Sequence, residues 1–205
     1  MSASITPISL ASITSLPLRR LSNDAAGCDK CRLCEHRSTI VLGSGNTIKP
    51  RLTIVCESPG DHEDLNGIAY SGVAGEILDD LLEKLEINRE SVYATHAVMC
   101  RPPGNRPPAK SELDACYPFL EKKIESVDSQ VILAIGRTAG RALLRKELPL
   151  VSMRNQWHDW NGIPMRVTYS PVYIKRNPYD LDKYETDLLN VMGMIRSREQ
   201  AHGAA

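Results

Sequence analysis

No excess of either charge marks this chain: 25 Lys and Arg stand against 25 Asp and Glu across 205 residues. That balance excludes a histone-like polycation while leaving room for a local basic patch. No apolar run approaches the length of a membrane span, so no membrane partner is expected. No secretory leader is expected in the first residues either, because Arg19 and Arg20 come late and no unbroken apolar core precedes them. No G-x-G-x-x-G follows the first strand-like run, which argues against a Rossmann-type nucleotide enzyme. There is no internal repeat and no linker that would mark a second domain. Six cysteines are too few for a disulfide scaffold at this size. Three of them crowd into residues 28–34, which favours metal binding in a reducing, cytoplasmic setting.

What is present is organised around residues 51–72, RLTIVCESPGDHEDLNGIAYSG. Leu52 to Val55 is short, apolar and rich in β-branched residues, and reads as a buried strand. Ser58-Pro59-Gly60 forces a turn, and Asp61, Glu63 and Asp64 crowd carboxylates just beyond it. A loop of this kind at a strand end is where an α/β sheet places its site. After Gly72, Ile77, Leu78, Leu81, Leu82 and Leu85 form one apolar helical stripe. Val92–Met99 predicts a second strand, and four prolines then hold Cys100–Pro108 as a rigid loop. A helix over Ser111–Val127, a strand over Gln130–Ile135 and a helix over Thr138–Lys146 follow. Two strand-like pieces flank Asn161-Gly162, then come a loop over Ser170–Pro178 and a helix over Leu181–Arg196. Strands alternating with helices predict a three-layer α/β/α domain with a mainly parallel central sheet. The domain is expected over residues 25–198, between a flexible tail at 1–24 and a frayed end at 199–205.

The cysteines carry a second signal. Cys-x-x-Cys alone is weak, but Cys28, Cys31 and Cys34 are joined by Cys100 at a strand end and Cys116 near a helix start. Four converging thiolates suit an iron–sulfur cluster or a structural zinc. Spacing alone leaves open which four would ligate.

The runs GCDKCRLCEHR, GSGN, ESPGDHEDLNG, MCRPPGNRPP with Cys116 further on, and YSPVYIKRNP stand in this order. Together the chain resembles the family 4 uracil-DNA glycosylases, which carry a four-iron cluster. The resemblance implies a 4Fe-4S cluster on Cys28, Cys31, Cys100 and Cys116, with Cys34 and Cys56 spare. It implies an enzyme, expected as a monomer, that acts on duplex or single-stranded DNA by flipping a nucleotide out of the stack. Glu57 or Glu63 would stabilise positive charge on the sugar, and the turn Ser58, Pro59 and Gly60 would surround the base with the main-chain N–H groups around it as donors, with Asp64 beside them. Proline contributes no N–H of its own to that set. Tyr70 would stack on the base, Lys175, Arg176 and Asn177 would meet DNA from an inserting loop, and Arg101, Asn105 and Arg106 would form a second patch.

Departures from the family pattern sharpen the expectation. His96 stands where the family strand has an asparagine that reads uracil, and Ser170 where the loop has histidine. Tyr70 replaces phenylalanine, Ser58 replaces a smaller residue, and Cys56 replaces glycine. An imidazole cannot reproduce the donor–acceptor pair of an amide. These changes predict catalytic involvement of His96 in a roomier pocket for a modified pyrimidine, such as hydroxymethylated or glucosylated cytosine of viral DNA. The alternatives are ordinary excision of uracil in repair, and a non-catalytic iron–sulfur module that binds DNA.

Overall fold

The computed structural model of the chain describes residues 15–203. Its strands are β1 (Ser44–Gly45), β2 (Leu52–Cys56), β3 (Val92–His96), β4 (Val131–Ile135), β5 (Trp157–Trp160) and β6 (Ile163–Thr168). The helices are α1 (Leu16–Ala26), α2 (Asp61–Asn66), α3 (Val73–Lys84), α4 (Lys110–Val127), α5 (Gly136–Leu144), α6 (Leu150–Met153), α7 (Pro171–Arg176) and α8 (Leu181–Gly203). The six strands form one sheet in the order β1-β3-β2-β4-β6-β5. β3, β2, β4 and β6 run parallel, while β1 and β5 are antiparallel edges.

Period-two alternation explains the layers. Leu52 and Ile54 of β2, with Val131, Leu133 and Ile135 of β4, point to one face and pack beneath α3 and α8. Val55, Ile132 and Ala134 point to the other, where α1, α4 and α5 cover them. Both faces of the parallel strands are therefore buried, as helical crossovers require. On α3 the stripe Leu78, Leu81 and Leu82, with Leu85 just beyond, is 2–3% exposed, each leucine contributing about 1.5–3 kcal/mol of burial. Asn161 and Gly162 take φ of 49° and 86°, the doubly positive turn that lets β5 fold back on β6 in two residues. No helix among the described residues is long and apolar enough to cross a membrane.

Three expectations change here. Residues 16–24, expected within a flexible tail, are helical: α1 begins at Leu16 and buries Leu18, Leu21 and Ala25 against the α4 side of the sheet. Residues 1–14 lie outside the described residues. The loop expected over Ser170–Pro178 contains α7, which Pro171 starts with its preset φ. The end expected to fray from 199 continues as α8, and Arg51 pairs with Glu199.

Candidate active site and thiol cavity

Parallel strands bring their C-terminal ends to one edge, and Cys56 of β2 lies in register with His96 of β3. Beyond Cys56 the chain turns through Glu57-Ser58-Pro59-Gly60 into α2. Gly60 caps this helix: its N–H donates to Glu63 Oε2 at 2.7 Å, and Gly67 closes it at φ 70°. Glu63 also accepts from the Tyr70 N–H through Oε1, and His96 Nε2 lies 3.2 Å from that same oxygen. The Glu63 and His96 side chains are 4% and 3% exposed. Burial alone would raise the Glu63 carboxyl, but the His96 ring and the two main-chain N–H groups outweigh it and hold it below the usual range.

Tyr70 sits at φ 58°, a conformation that costs a bulky side chain about 1–3 kcal/mol. Glu63 holds its N–H and Arg89 holds its carbonyl at 3.1 Å. The phenol ring stacks on the His96 imidazole, with centroids 5.1 Å apart and planes 13° from parallel. Tyr70 is 5% exposed and His96 2%. His96 Nδ1 is buried and has no hydrogen-bond partner among the described residues. Burial pushes the neighbouring Cys56 thiol up to about 12, against the lowering effect of the Tyr70 hydroxyl.

The carboxylates of this loop thus differ in circumstance. Asp64 is 2% exposed and accepts from the Ser38 N–H with both oxygens, at 2.9 and 3.0 Å, so it fastens α2 to the preceding segment. Asp61 lies at the exposed rim and pairs with Arg101 and Asn105. Glu57 is half-buried at the end of β2, and its carboxylate accepts from the Thr138 hydroxyl at the start of α5.

A second site lies at the other side of β3. Cys28, Cys31, Cys34, Cys100 and Cys116 line one cavity with Arg37, Lys30, Leu33, Val98, Met99 and Ala115. All five are free thiols. Arg37 Nη1 donates to the Cys28 carbonyl at 2.7 Å and to Cys100 Sγ at 3.4 Å, and the Met99 N–H donates to Cys116 Sγ at 3.4 Å. These donors aim at sulfur, as donors around bound thiolates do. Burial raises the Cys31, Cys100 and Cys116 thiols, Cys116 to about 11. Among the described residues no three His, Cys, Asp or Glu side chains gather tightly enough to hold a single metal ion.

Comparison with known proteins decides the family. The model of the uracil DNA glycosylase superfamily matches residues 42–192. This chain belongs to that superfamily. Type-4 uracil-DNA glycosylases are among its relatives. One from Saccharolobus solfataricus is 33% identical over 187 residues, covering 87% of this chain and 86% of its own. One from Thermotoga maritima is 38% identical over 152 residues, covering 73% and 79%. One from Pyrobaculum aerophilum is 31% identical over 186 residues, covering 87% and 94%. Membership in family 4, and the DNA N-glycosylase class that goes with it, therefore stand on most of the chain.

Within this glycosylase the structure gathers Glu57, Ser58, Pro59, Gly60, Glu63, Tyr70 and His96 at the joined ends of β2 and β3. It does not bring Asp64 into that group. Ser170 is half-buried at the start of α7, with no cap hydrogen bond from its side chain. Lys175 and Arg176 are exposed on α7, beside the exposed Val172 and Tyr173. Lys175 makes a 3.9 Å pair with Asp80, and Asn177 accepts from the Tyr179 hydroxyl at 2.8 Å. Arg106 grips Glu112 with two hydrogen bonds at 2.7 and 2.8 Å, and Arg101 is held by Asp61 and Asn105. Of the expected DNA-facing cations, Arg176 is the one with no internal partner among the described residues.

Two residues escaped the sequence reading. Thr138 was counted only as a helix start, although a hydroxyl just beyond the third parallel strand faces the same edge as Glu57. Lys123 is a cation in the apolar stripe of α4, seven residues from Cys116 and hence on the same face. That misplaced charge was the available signal.

Proposed function

We propose that this DNA N-glycosylase excises uracil, hydrolysing the bond between C1′ of deoxyribose and N1 of the flipped base. The observation that carries the reading is the standing of Glu57 among the loop's acids. Glu63 and Asp64 are sealed in and saturated, and Asp61 is paired with a cation at the rim. Glu57 is anchored by one hydroxyl and, among the described residues, pairs with no cation. As the C–N bond breaks, its electron pair leaves with the base and positive charge builds on the sugar. A carboxylate beside C1′ stabilises that charge, orients a water for attack and takes its proton. Glu63 acts through its neighbours, holding Gly60, Tyr70 and His96 in place. Arg176 supplies a phosphate contact.

Uracil is preferred because the relatives are named for it and because the pocket wall is not opened as the sequence suggested. His96 does not leave a gap where the family has asparagine. It packs flat against Tyr70, and the expectation of a roomier pocket for modified pyrimidines has no support in this geometry. For the thiol cavity we assign a 4Fe-4S cluster on Cys28, Cys31, Cys100 and Cys116, supported by four sulfurs brought together from three segments and by the donors on Cys100 and Cys116. When bound, such a cluster ties the residue 28–37 segment to β3 and α4 and contributes folding energy.

The test uses single- and double-stranded oligonucleotides carrying one uracil, thymine, cytosine, hydroxymethylcytosine or glucosylated hydroxymethylcytosine. Abasic sites are scored by alkaline cleavage. Cleavage at uracil is the expected result. Cleavage confined to the modified cytosines would overturn the substrate, and none on any strand would overturn the assigned activity.

A further inference from the structure

We propose that Lys123 is the buried counter-charge of the group bound by the four cysteines. This rests on the cluster assigned above. Lys123 is 0% exposed in the middle of α4. Its Nζ donates to Thr95 Oγ1 at 2.6 Å and to the His96 carbonyl at 3.2 Å, and the Thr95 hydroxyl in turn donates a hydrogen bond to the Leu42 carbonyl at 2.7 Å. Both partners of the ammonium are neutral. Among the described residues no carboxylate pairs with it, and the ionisable groups that act on its charge are Cys116 and Cys100.

A buried ammonium without an anion is among the most unfavourable arrangements a fold can hold. A hydrogen-bonding tie between α4 and β3 needs no charge, and a neutral amide would serve it at lower desolvation cost. The cation is explained if an anion belongs nearby. Cys116 lies two helical turns away on the same face of α4, and Cys100 follows the end of the very strand that Lys123 grips. A cluster ligated by four thiolates carries net negative charge, so one group satisfies the four sulfurs and the lysine together. Desolvation already draws the ammonium down to about 8, with the Cys116 and Cys100 thiolates acting in the opposite direction. A fixed positive charge beside such a cluster stabilises its bound state, and stabilises its reduced form more than its oxidised form.

The experiment compares wild type with K123M, K123Q and K123R, all isolated anaerobically. Iron content, visible absorption, the rate of iron loss to a chelator and the midpoint potential are read. Glutamine keeps the hydrogen bonds and removes the charge, whereas arginine keeps the charge, so that pair decides the matter even where methionine impairs folding. K123M and K123Q are expected to lose iron roughly 10–100-fold faster than wild type and to shift the potential to more negative values, with K123R close to wild type. Equal iron loss and equal potentials in K123Q and K123R would overturn the counter-charge role while leaving the cluster intact. Wild type that holds zinc and no iron would overturn the cluster reading itself, and the counter-charge role with it.

Discussion

Two buried ionic clusters in this protein look alike in composition and differ in completeness. Asp187 on α8 is 0% exposed, and its oxygens accept from Arg166 at 2.9 and 3.1 Å, from Arg154 at 2.6 and 2.8 Å and from the Thr168 hydroxyl at 2.9 Å. The guanidinium of Arg154 further lies over the Tyr169 ring and that of Arg166 over Trp157. Each charge there is met, and the cluster pins α8 to β6. On the far side of the sheet centre, Glu63 and His96 are buried just as deeply, yet among the described residues His96 Nδ1 has no partner and Lys123 has no anion. Buried polar groups in native folds are nearly all satisfied, so those left open point to something that arrives later. The first cluster maintains architecture. The second region is the one to which we assign a base on one side and a cofactor on the other.

The contrast can be broken first at its saturated end. Asp187→Ala leaves two buried guanidinium groups without an anion and should cost about 3–5 kcal/mol, read as a lower urea midpoint. Whatever fraction remains folded should retain its specific activity. A variant as stable as wild type would mean that this cluster is not the fastening it resembles.

At the open end the expected losses fall on rate. Glu57→Gln should lower single-turnover cleavage by about 10²–10³-fold with DNA affinity nearly unchanged, because the carboxylate acts mainly as charge develops. Thermal stability should move little, since among the described residues one hydroxyl is its only side-chain partner. Wild-type rates from this variant would remove Glu57 from the chemistry.

Arg176→Ala should act differently again. Losing one phosphate contact should weaken binding across all sequences and reduce the slope of log affinity against log salt by about 1. An unchanged salt slope would show that α7 does not meet the backbone.

The smallest effect concerns acid. The Glu63 carboxyl titrates below its ordinary value when folded, so its contribution is complete above the usual carboxylate range. That contribution is lost as pH falls through the folded value. Glu63→Gln should therefore be less stable than wild type at neutral pH, with the difference narrowing in acid. Parallel stability curves from neutral to acid pH would separate Glu63 from acid unfolding.

Much of this protein was written in local pattern. The β-branched run at 52–55, the leucine stripe on α3 and the apolar run at 131–135 each predict their element, because period and burial are properties of neighbouring residues. A gathering of thiols was legible too, since residue type and order suggest one, and five cysteines do line one cavity; the choice of Cys28, Cys31, Cys100 and Cys116 came from the family resemblance, not from spacing. Other features belong to tertiary structure alone. Leu18 and Leu21 look like a tail until α4 offers a face to bury them. Arg101 and Arg106 look free for DNA until Asp61 and Glu112 come within reach. No spacing could show that Glu63 would be sealed against His96 while Glu57 stayed open, or that Lys123 would lie buried between strand β3 and the cysteine-bearing helix. Which charges are met depends on distances across the fold, and those exist only after the sheet has brought distant segments together.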